Sequence, residues 1–368
     1  MNTLILSCNT GEGHNSCAKA IKEYYDSINE PCEIYDAFKF ISSGVSEFMS
    51  KGHAFVYRNI PWLFNNGYRY TEKHPEVFDD NSITYRFLTQ GSKKIYDYIR
   101  EGEYDSVICT HVLTALMLTD VLKKYSLNIS TAFVATDYTC SPSTKQSTMD
   151  YYFIPDKDML TDFECEAIPE SKIIVSGIPV RQIFYDKKPS DKQNNERKNQ
   201  LLIMCGSMGC GPMKKIITKL SGKLPDDWEA SVVCGRNKNL YVRLSKKYKN
   251  NEKIKIYGYV TDIGKMMDEA DLYLTKPGGI SVTEAAAKNL PMILIDAVAG
   301  CEEYNRIYFT RKGCAKTAAN TNELIKLSLK IMNDKERRIK LLNAVTNLEC
   351  LNSSEIIYKK MKEKNQLS

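Results

Sequence analysis

The residue of this 368-residue chain best suited to proton transfer is His14. It follows a short apolar run and a loop containing Gly11 and Gly13, and a helical pattern begins directly after it. Glycines let the backbone turn sharply and approach a ligand, and an imidazole titrates near neutral pH. We therefore interpret His14 as a candidate general base, with simple capping of the helix as the alternative. A third glycine is missing, so a dinucleotide fingerprint is poorly supported.

A second glycine-rich loop covers residues 206–213. Its three glycines are followed by Pro212 at the predicted first turn of a helix. Backbone N–H groups at such a turn form a cradle for phosphate. The loop has no G-K-[ST] ending, so it is not a P-loop. Tight packing of the strand on the helix is the alternative explanation for its glycines.

Two more loops carry carboxylates. In residues 276–285, Glu284 could accept both hydroxyls of a ribose, whereas Ser281 and Glu284 also have the spacing of a capping box. Residues 300–305 bring Glu302, Glu303 and Asn305 to the start of another predicted helix. These groups suit recognition of sugar hydroxyls, and compensation of the helix dipole explains the acids equally well.

Each of these loops follows a short apolar run, and such runs alternate with helical patterns along the chain. This rhythm predicts parallel sheets with crossover helices, in which ligands bind beyond the carboxyl ends of the strands. The predicted strands cover residues 3–8, 33–38, 106–110, 130–136, 151–154, 201–205, 230–234, 253–258, 271–275 and 292–296.

The chain is too long for one ordinary core, because single cores stop growing at about 250–300 residues. Residues 187–200 contain no apolar side chain except a proline and predict a linker. We therefore expect a first domain over residues 1–186, a second over 201–345, and a terminal helix in 346–368 that packs back on the first.

Composition narrows the function classes. A net charge of +6 is mild, no nucleic-acid motif accompanies it, and no apolar run approaches the length of a membrane span. The twelve cysteines form no C-x-x-C pair, and the first residues lack the basic region of a secretion signal. We expect a cytoplasmic protein whose membrane contact is peripheral, with no metal site and no nucleic-acid partner.

Several stretches together resemble the monogalactosyldiacylglycerol synthase and processive diacylglycerol glucosyltransferase family, which is related to the bacterial lipid-linked GlcNAc transferase. They are GEGHNSCAKAI, FVATDY, SGIPVRQIF, CGSMGCGP, VVCGRNKNL, GYVTDIGKMMDEADLYLTKPGGISVTEAAAKNLPMIL and the GCEEYN segment. The resemblance implies the GT-B fold, in which two Rossmann-like domains face a central cleft. It also implies a UDP-sugar donor, no cofactor, and inversion at the anomeric carbon.

The resemblance also implies roles for individual residues. His14 takes the place of the general base, and Asp137 lies on the acceptor side, although an Asp after a strand is also a common helix cap. His111 follows a strand as well and is the main rival base, and Asp137 and Glu12 are the other candidates for that role. The residues implied in donor binding are Gly206, Ser207, Gly209, Arg236, Tyr259, Val260, Lys276, Gly278, Gly279, Ser281, Glu284, Glu302 and Asn305.

The chain departs from the family pattern at three places. The triplet before the histidine is GEG, no His or Trp follows the Thr136-Asp137 pair, and the sugar-contacting G-Q-E pattern is Gly300-Cys301-Glu302. The resemblance therefore leaves the hexose open.

Residues 48–75 are dense in aromatic and basic side chains. Aromatic rings beside Lys and Arg suit a segment that enters lipid headgroups. In the family this region receives the lipid acceptor, so Gly13, Trp62, Phe64 and Tyr68 are predicted on the acceptor and membrane side. The alternative is an internal aromatic helix packed on the sheet.

We therefore expect an inverting hexosyltransferase that uses a UDP-sugar and a lipid acceptor such as diacylglycerol. It would act peripherally on the anionic inner face of the cell membrane. Two alternatives stay open: a UDP-sugar 2-epimerase of similar two-domain fold, and a non-catalytic sensor of nucleotide sugars.

Overall fold

The computed structural model describes residues 1–9, 11–186, 197–209, 211–295 and 300–367, without the side chains of residues 53, 54, 57–59, 61, 64 and 367. The chain folds into two compact units. The first unit comprises Met1–Gln182, Ala299–Cys301 and Leu351–Ser368, and the second comprises Ile183–Val298 and Glu302–Cys350.

The first unit contains a six-stranded parallel sheet with the order β2-β1-β3-β4-β5-β6. Its strands are β1 (Thr3–Ser7), β2 (Cys32–Asp36), β3 (Ser106–Cys109), β4 (Ser130–Val134), β5 (Tyr151–Ile154) and β6 (Ile173–Val175). Its helices are α1 (Glu12–Ser27), α2 (Phe38–Ile41), α3 (Ser43–Asn59), α4 (Pro61–Lys73), α5 (Ile83–Leu88), α6 (Ser92–Glu101), α7 (Val112–Lys124) and α8 (Leu160–Cys165). The short helix α9 (Gln182–Tyr185) lies at the division between the units.

The second unit repeats this architecture with the strand order β12-β11-β10-β7-β8-β9, again parallel throughout. Its strands are β7 (Asn199–Met204), β8 (Trp228–Val233), β9 (Ile254–Tyr257), β10 (Leu272–Thr275), β11 (Met292–Leu294) and β12 (Ala315–Thr317). Its helices are α10 (Met213–Leu220), α11 (Lys238–Lys247), α12 (Ile263–Glu269), α13 (Gly279–Ala287), α14 (Gly300–Arg311), α15 (Thr321–Met332) and α16 (Lys335–Thr346).

The central strands are buried on both faces because crossover helices cover both sides of a parallel sheet. All five residues of β1 and all four of β10 are buried. This explains why these strands are continuous apolar runs without the alternation of a one-sided sheet.

All ten predicted strands are present, and the predicted α/β class with two parallel sheets is confirmed. The sequence interpretation missed β6 and β12, which have three residues each. It also made the linker too long, because Asn199 and Gln200 already pair with β8. The predicted linker residues 187–196 lie outside the described residues.

The last helix, α17 (Ser353–Leu367), packs within the first unit. Ile357 and Met361 are completely buried, and the Ser354 hydroxyl donates to the carbonyl oxygen of Ala20 at 3.2 Å. The helix begins later than the predicted 346, because α16 continues to Thr346. Among the described residues, no helix combines the length and apolarity that crossing a bilayer requires.

Candidate functional site

His14 lies in the first turn of α1, just beyond the carboxyl end of β1. Its Nδ1 is 2.8 Å from the carbonyl oxygen of Thr110 and 3.0 Å from the hydroxyl oxygen of Thr136. A carbonyl oxygen can only accept a hydrogen bond, so Nδ1 carries the ring proton. In the neutral ring the lone pair is then on Nε2, which is the nitrogen that would accept a proton from a substrate.

His111 is the N-cap of α7 and lies against His14. The two ring centroids are 4.4 Å apart, with an interplanar angle of 72°. The Nδ1 of His111 accepts a hydrogen bond from the backbone N–H of Leu113 at 3.0 Å. Its lone pair therefore holds the start of α7, and protonation at that nitrogen would break the cap. This makes His111 a weaker candidate for the base than His14.

A chain of polar side chains fixes the loop between β1 and α1. The Ser7 hydroxyl donates to the Asn15 side-chain oxygen at 2.7 Å, and the Asn15 amide donates to Asn9 at 2.7 Å. Asn9 in turn donates to the Asp36 carboxylate at 2.7 Å, and Ser46 also donates to that carboxylate. The sequence interpretation missed this network. Its only local signal is the polar Asn15 directly after His14.

Asp137 lies three residues beyond the end of β4 and is half-buried. Its neighbour Thr136 contacts His14 through its hydroxyl. The next helical segment of the described chain begins at Thr144, so the helix-cap alternative for Asp137 is wrong. Glu12 is the first residue of α1, and Gly13 is the second.

In the second unit, the glycine-rich loop after β7 interlocks with the loop after β8. Gly209 has a φ of +58°, and a Cβ added there would lie 2.0 Å from the carbonyl oxygen of Cys234. A Cβ on Gly235 would lie 2.2 Å from the carbonyl oxygen of Ser207. Only glycine fits at these two positions, so the glycines serve close approach of the two loops as well as any phosphate.

Two hydrogen bonds join these loops. The backbone N–H of Arg236 donates to the carbonyl oxygen of Ser207 at 2.8 Å. The side-chain amide of Asn237 donates to the carbonyl oxygen of Gly209 at 3.1 Å. The guanidinium of Arg236 lies over the ring of Tyr259, 5.4 Å from its centroid. Tyr259 is 56% exposed and Val260 follows it, half-buried. The structure therefore brings five predicted donor residues into one surface.

A buried ion pair organises the loops after β10 and β11. The Lys276 Nζ lies 2.8 Å from Glu302 Oε1, and both side chains are about nine-tenths buried. The fully buried Asn305 donates to the carbonyl oxygen of Pro277 at 2.9 Å, which ties α14 to the same loop. A Cβ on Gly278 would lie 3.9 Å from the Glu302 carboxylate. Lys276, Gly278, Glu302 and Asn305 are thus brought together.

Glu284 lies inside α13, as its sixth residue. The helix begins at Gly279 with Gly278 as the N-cap, and no side chain caps it. Ser281 is the third helical residue, so the capping-box alternative for Ser281 and Glu284 is wrong. Capping therefore does not explain the carboxylate of Glu284.

Two family models match this chain, one in each half. Residues 14–180 match the family model of monogalactosyldiacylglycerol (MGDG) synthase, and residues 191–347 match glycosyl transferases group 1. The chain combines an MGDG synthase domain with a group 1 glycosyl transferase domain. The processive diacylglycerol beta-glucosyltransferase of Staphylococcus carnosus (strain TM300) is 26% identical over 344 residues, covering 90% of this chain and 84% of that protein.

Solved structures show the same fold. MurG of Acinetobacter baumannii superposes with a TM-score of 0.63 at 12% identity, covering 99% of this chain and 100% of that one. The UDP-GlcNAc 2-epimerase from Neisseria meningitidis, bound to UDP-GlcNAc, gives 0.63 at 15% identity, with the same coverage. The predicted family resemblance and the GT-B fold are confirmed, and both domains match family models of glycosyltransferases.

The aromatic segment of the MGDG synthase domain forms α3 and α4. Phe48 is 75% exposed and Trp62 is 64% exposed, so packing of these rings inside the protein is excluded. Tyr68 is half-buried. The side chain of Phe64 lies outside the described residues, and its predicted role stays a prediction.

The described side chains that could ligate a metal do not cluster. Among the described residues, no cluster of three or more His, Cys, Asp or Glu side chains could hold an ion. The sequence Asp156-Lys157-Asp158 has the D-x-D form of a metal-binding motif, but the Asp156 carboxylate accepts a hydrogen bond from the backbone N–H of Asp158 at 2.8 Å, which is a local capping role. Burial raises the pKa of the Cys109 thiol to about 12, as expected for a cysteine that acts as a small apolar residue. Cys210 lies outside the described residues.

Proposed function

We propose that the protein transfers a hexose from a UDP-sugar to diacylglycerol, with inversion at the anomeric carbon, as a peripheral enzyme on the inner face of the cell membrane. The support is the MGDG synthase domain together with the processive diacylglycerol beta-glucosyltransferases, which are similar along most of the chain. The bound UDP-GlcNAc of the structurally similar epimerase supports a UDP-sugar as the ligand of this fold. No cofactor and no metal ion take part in the proposed reaction.

The observation that carries the proposal is the 2.8 Å contact between His14 Nδ1 and the carbonyl oxygen of Thr110, from which we infer the tautomer of His14. A glyceryl hydroxyl is a poor nucleophile while it keeps its proton. Because the Thr110 carbonyl holds the proton on Nδ1, Nε2 can accept the hydroxyl proton as the oxygen attacks the anomeric carbon. The bond from that carbon to the UDP oxygen breaks, and UDP leaves with the electron pair. Asp137, next to Thr136, is proposed to act on the acceptor side.

The second unit is proposed to bind the donor. Backbone N–H groups of the loop at Gly206, Ser207 and Gly209 and the guanidinium of Arg236 would neutralise the diphosphate leaving group. The backbone at Tyr259 and Val260 would lie near the base or the phosphates. Ser281 and the loop at Gly278 and Gly279 would approach the ligand closely.

The remaining donor contacts are proposed to be polar side chains. Glu284 would accept the two ribose hydroxyls. Glu302 would contact the sugar hydroxyls, with Lys276 orienting its carboxylate. Asn305 was predicted to bind the donor directly, but it is fully buried and would instead hold the loop at Pro277 in place.

The test is product analysis. The protein is incubated with UDP-glucose, UDP-galactose or UDP-GlcNAc and diacylglycerol vesicles, and the lipids are analysed by mass. We expect a glycolipid with one of the donors, UDP release only when acceptor is present, and an unchanged rate in EDTA. A rate that EDTA abolishes and a divalent ion restores would show that the donor site is wrongly interpreted.

A UDP-sugar 2-epimerase is the second candidate, because the Neisseria epimerase superposes as well as MurG does. An epimerase changes the sugar while it remains on UDP and needs no acceptor. Conversion of UDP-GlcNAc in the absence of lipid, with no glycolipid formed from any donor, would favour this candidate.

A further inference from the structure

The outer faces of α10 and α11 form a cationic surface that contains none of the residues proposed to bind the donor. Residues 205–225 contain four Lys and Arg residues and residues 230–251 contain six, and neither stretch contains an Asp or Glu. Apart from Arg236, which is assigned to the donor, and Lys223, the basic residues belong to or adjoin the two helices. This surface, all of it exposed, consists of Lys214, Lys215, Lys219, Lys238, Arg243, Lys246, Lys247 and Lys249.

The two helices are neighbours and point their charges outward together. The Lys247 Nζ donates to the Thr218 hydroxyl at 3.0 Å, which joins α11 to α10. On their other faces, Ile216 and Leu244 are buried in the core of the second unit. A groove of about 420 Å³ runs along α10 and is lined by Lys214, Lys215 and Lys219, among others.

The described part of the protein does not compensate these charges. Across the residues that the structure describes, no carboxylate lies within ion-pair distance of the cationic surface. Lysines of the neighbouring strands differ, since Lys255 pairs with Glu229 and Lys253 pairs with Asp226. An uncompensated group of like charges creates a strong local potential that attracts an anionic partner.

Exposed apolar side chains lie among these charges. Lys238, Val242 and Lys246 follow each other at four-residue spacing on α11 and therefore share one face. Val242 is 63% exposed, and Tyr241 beside it is also exposed. Lysine stems and an apolar side chain between ammonium groups fit the boundary between headgroups and acyl chains.

We propose that this cationic surface docks the second unit on anionic phospholipid headgroups. The inference rests on the proposed function, because a membrane acceptor brings the protein to a lipid surface. Lysine favours this partner over a nucleic acid, since ammonium groups act as point charges on a diffuse anionic surface. Specific recognition of a nucleic acid draws heavily on the planar, bidentate fork of arginine, and this surface has one arginine.

The test compares two triple variants of the full chain. One is Lys215→Gln/Lys219→Gln/Lys246→Gln. The control, Lys94→Gln/Lys157→Gln/Lys265→Gln, has the same change in net charge at exposed positions outside the surface. Sedimentation measures partition to vesicles of phosphatidylcholine alone or mixed with phosphatidylglycerol. UDP affinity and transfer to diacylglycerol in detergent micelles are measured in parallel.

Each lysine near an anionic membrane strengthens binding by about fivefold. We therefore expect the partition coefficient of the first variant on anionic vesicles to fall by about 100-fold and that of the control to change little. High salt should remove the wild-type preference for phosphatidylglycerol. Equal losses in both variants, or no wild-type preference, would overturn the proposal. The proposal would also be overturned if the first variant bound vesicles like the wild type but no longer bound a labelled single-stranded oligonucleotide, because the surface would then serve a nucleic acid.

The same measurements separate this inference from the proposed function. Micellar transfer and UDP affinity should be normal in both variants. If no variant and no wild-type sample forms a glycolipid, the proposed function is wrong. A selective loss of anionic vesicle binding in the first variant would still support the docking surface.

Discussion

Replacing His14 by alanine should abolish most of the transfer without unfolding the protein. The substitution removes the proposed proton acceptor, and general-base assistance is worth about 10²–10⁴-fold. A loss of at least about a hundredfold in kcat corresponds to about 2.7 kcal/mol in the barrier. The stability cost is smaller, because the ring contributes neutral hydrogen bonds, which are worth about 1 kcal/mol each, to Thr110 and Thr136, and an edge contact with His111.

The matched control is His111→Asn. Asparagine is a good N-cap and can still accept from the Leu113 N–H, whereas alanine there would lose the cap at a cost of about 1 kcal/mol. We therefore expect His111→Asn to keep kcat within about tenfold of the wild type, because its ring is not the proposed proton acceptor.

The assay is UDP release with short-chain diacylglycerol in micelles, with UDP affinity by calorimetry and stability by urea unfolding. His14→Ala should bind UDP normally. If it kept near-normal kcat while His111→Asn lost a hundredfold, the tautomer argument would be refuted and His111 would be the base.

Three further outcomes are expected. Glu284→Gln should weaken UDP binding by about 1.5–3 kcal/mol with little change in melting temperature, since the side chain caps no helix; unchanged affinity by calorimetry would contradict the ribose role. Glu302→Leu should lower the free energy of unfolding by about 3–5 kcal/mol, because it leaves Lys276 charged and buried. Adding Lys276→Met should restore part of that free energy. If the two substitutions instead lowered the free energy of unfolding additively in urea, the ion pair would not be stabilising. Trp62→Ala with Phe48→Ala should reduce vesicle binding and spare UDP affinity, and a folded double variant that still sediments with vesicles would exclude these rings from the interface.

Much of the architecture could be predicted from local sequence. Strands buried on both faces are apolar runs, and glycines or carboxylates follow them, so the loops that carry the site could be located before the fold. The three-residue strands β6 and β12 were missed because they lie at sheet edges and are only partly buried. They therefore lack the longer buried apolar run that marked the equally short β11. The capping box at Ser281 and Glu284 was a false alternative, because spacing alone does not show that α13 already begins at Gly279.

The sequence by itself identified the candidate site residues, since His14, Glu284 and Glu302 stand in recognisable motifs after strands. Only the tertiary structure decided what those groups can do. The carbonyl of Thr110, which sets the tautomer of His14, is 96 residues away in the chain, and Lys276 and Glu302 are separated by 26. A hydrogen bond or an ion pair depends on a distance of a few ångströms in space, and local sequence patterns do not contain that distance.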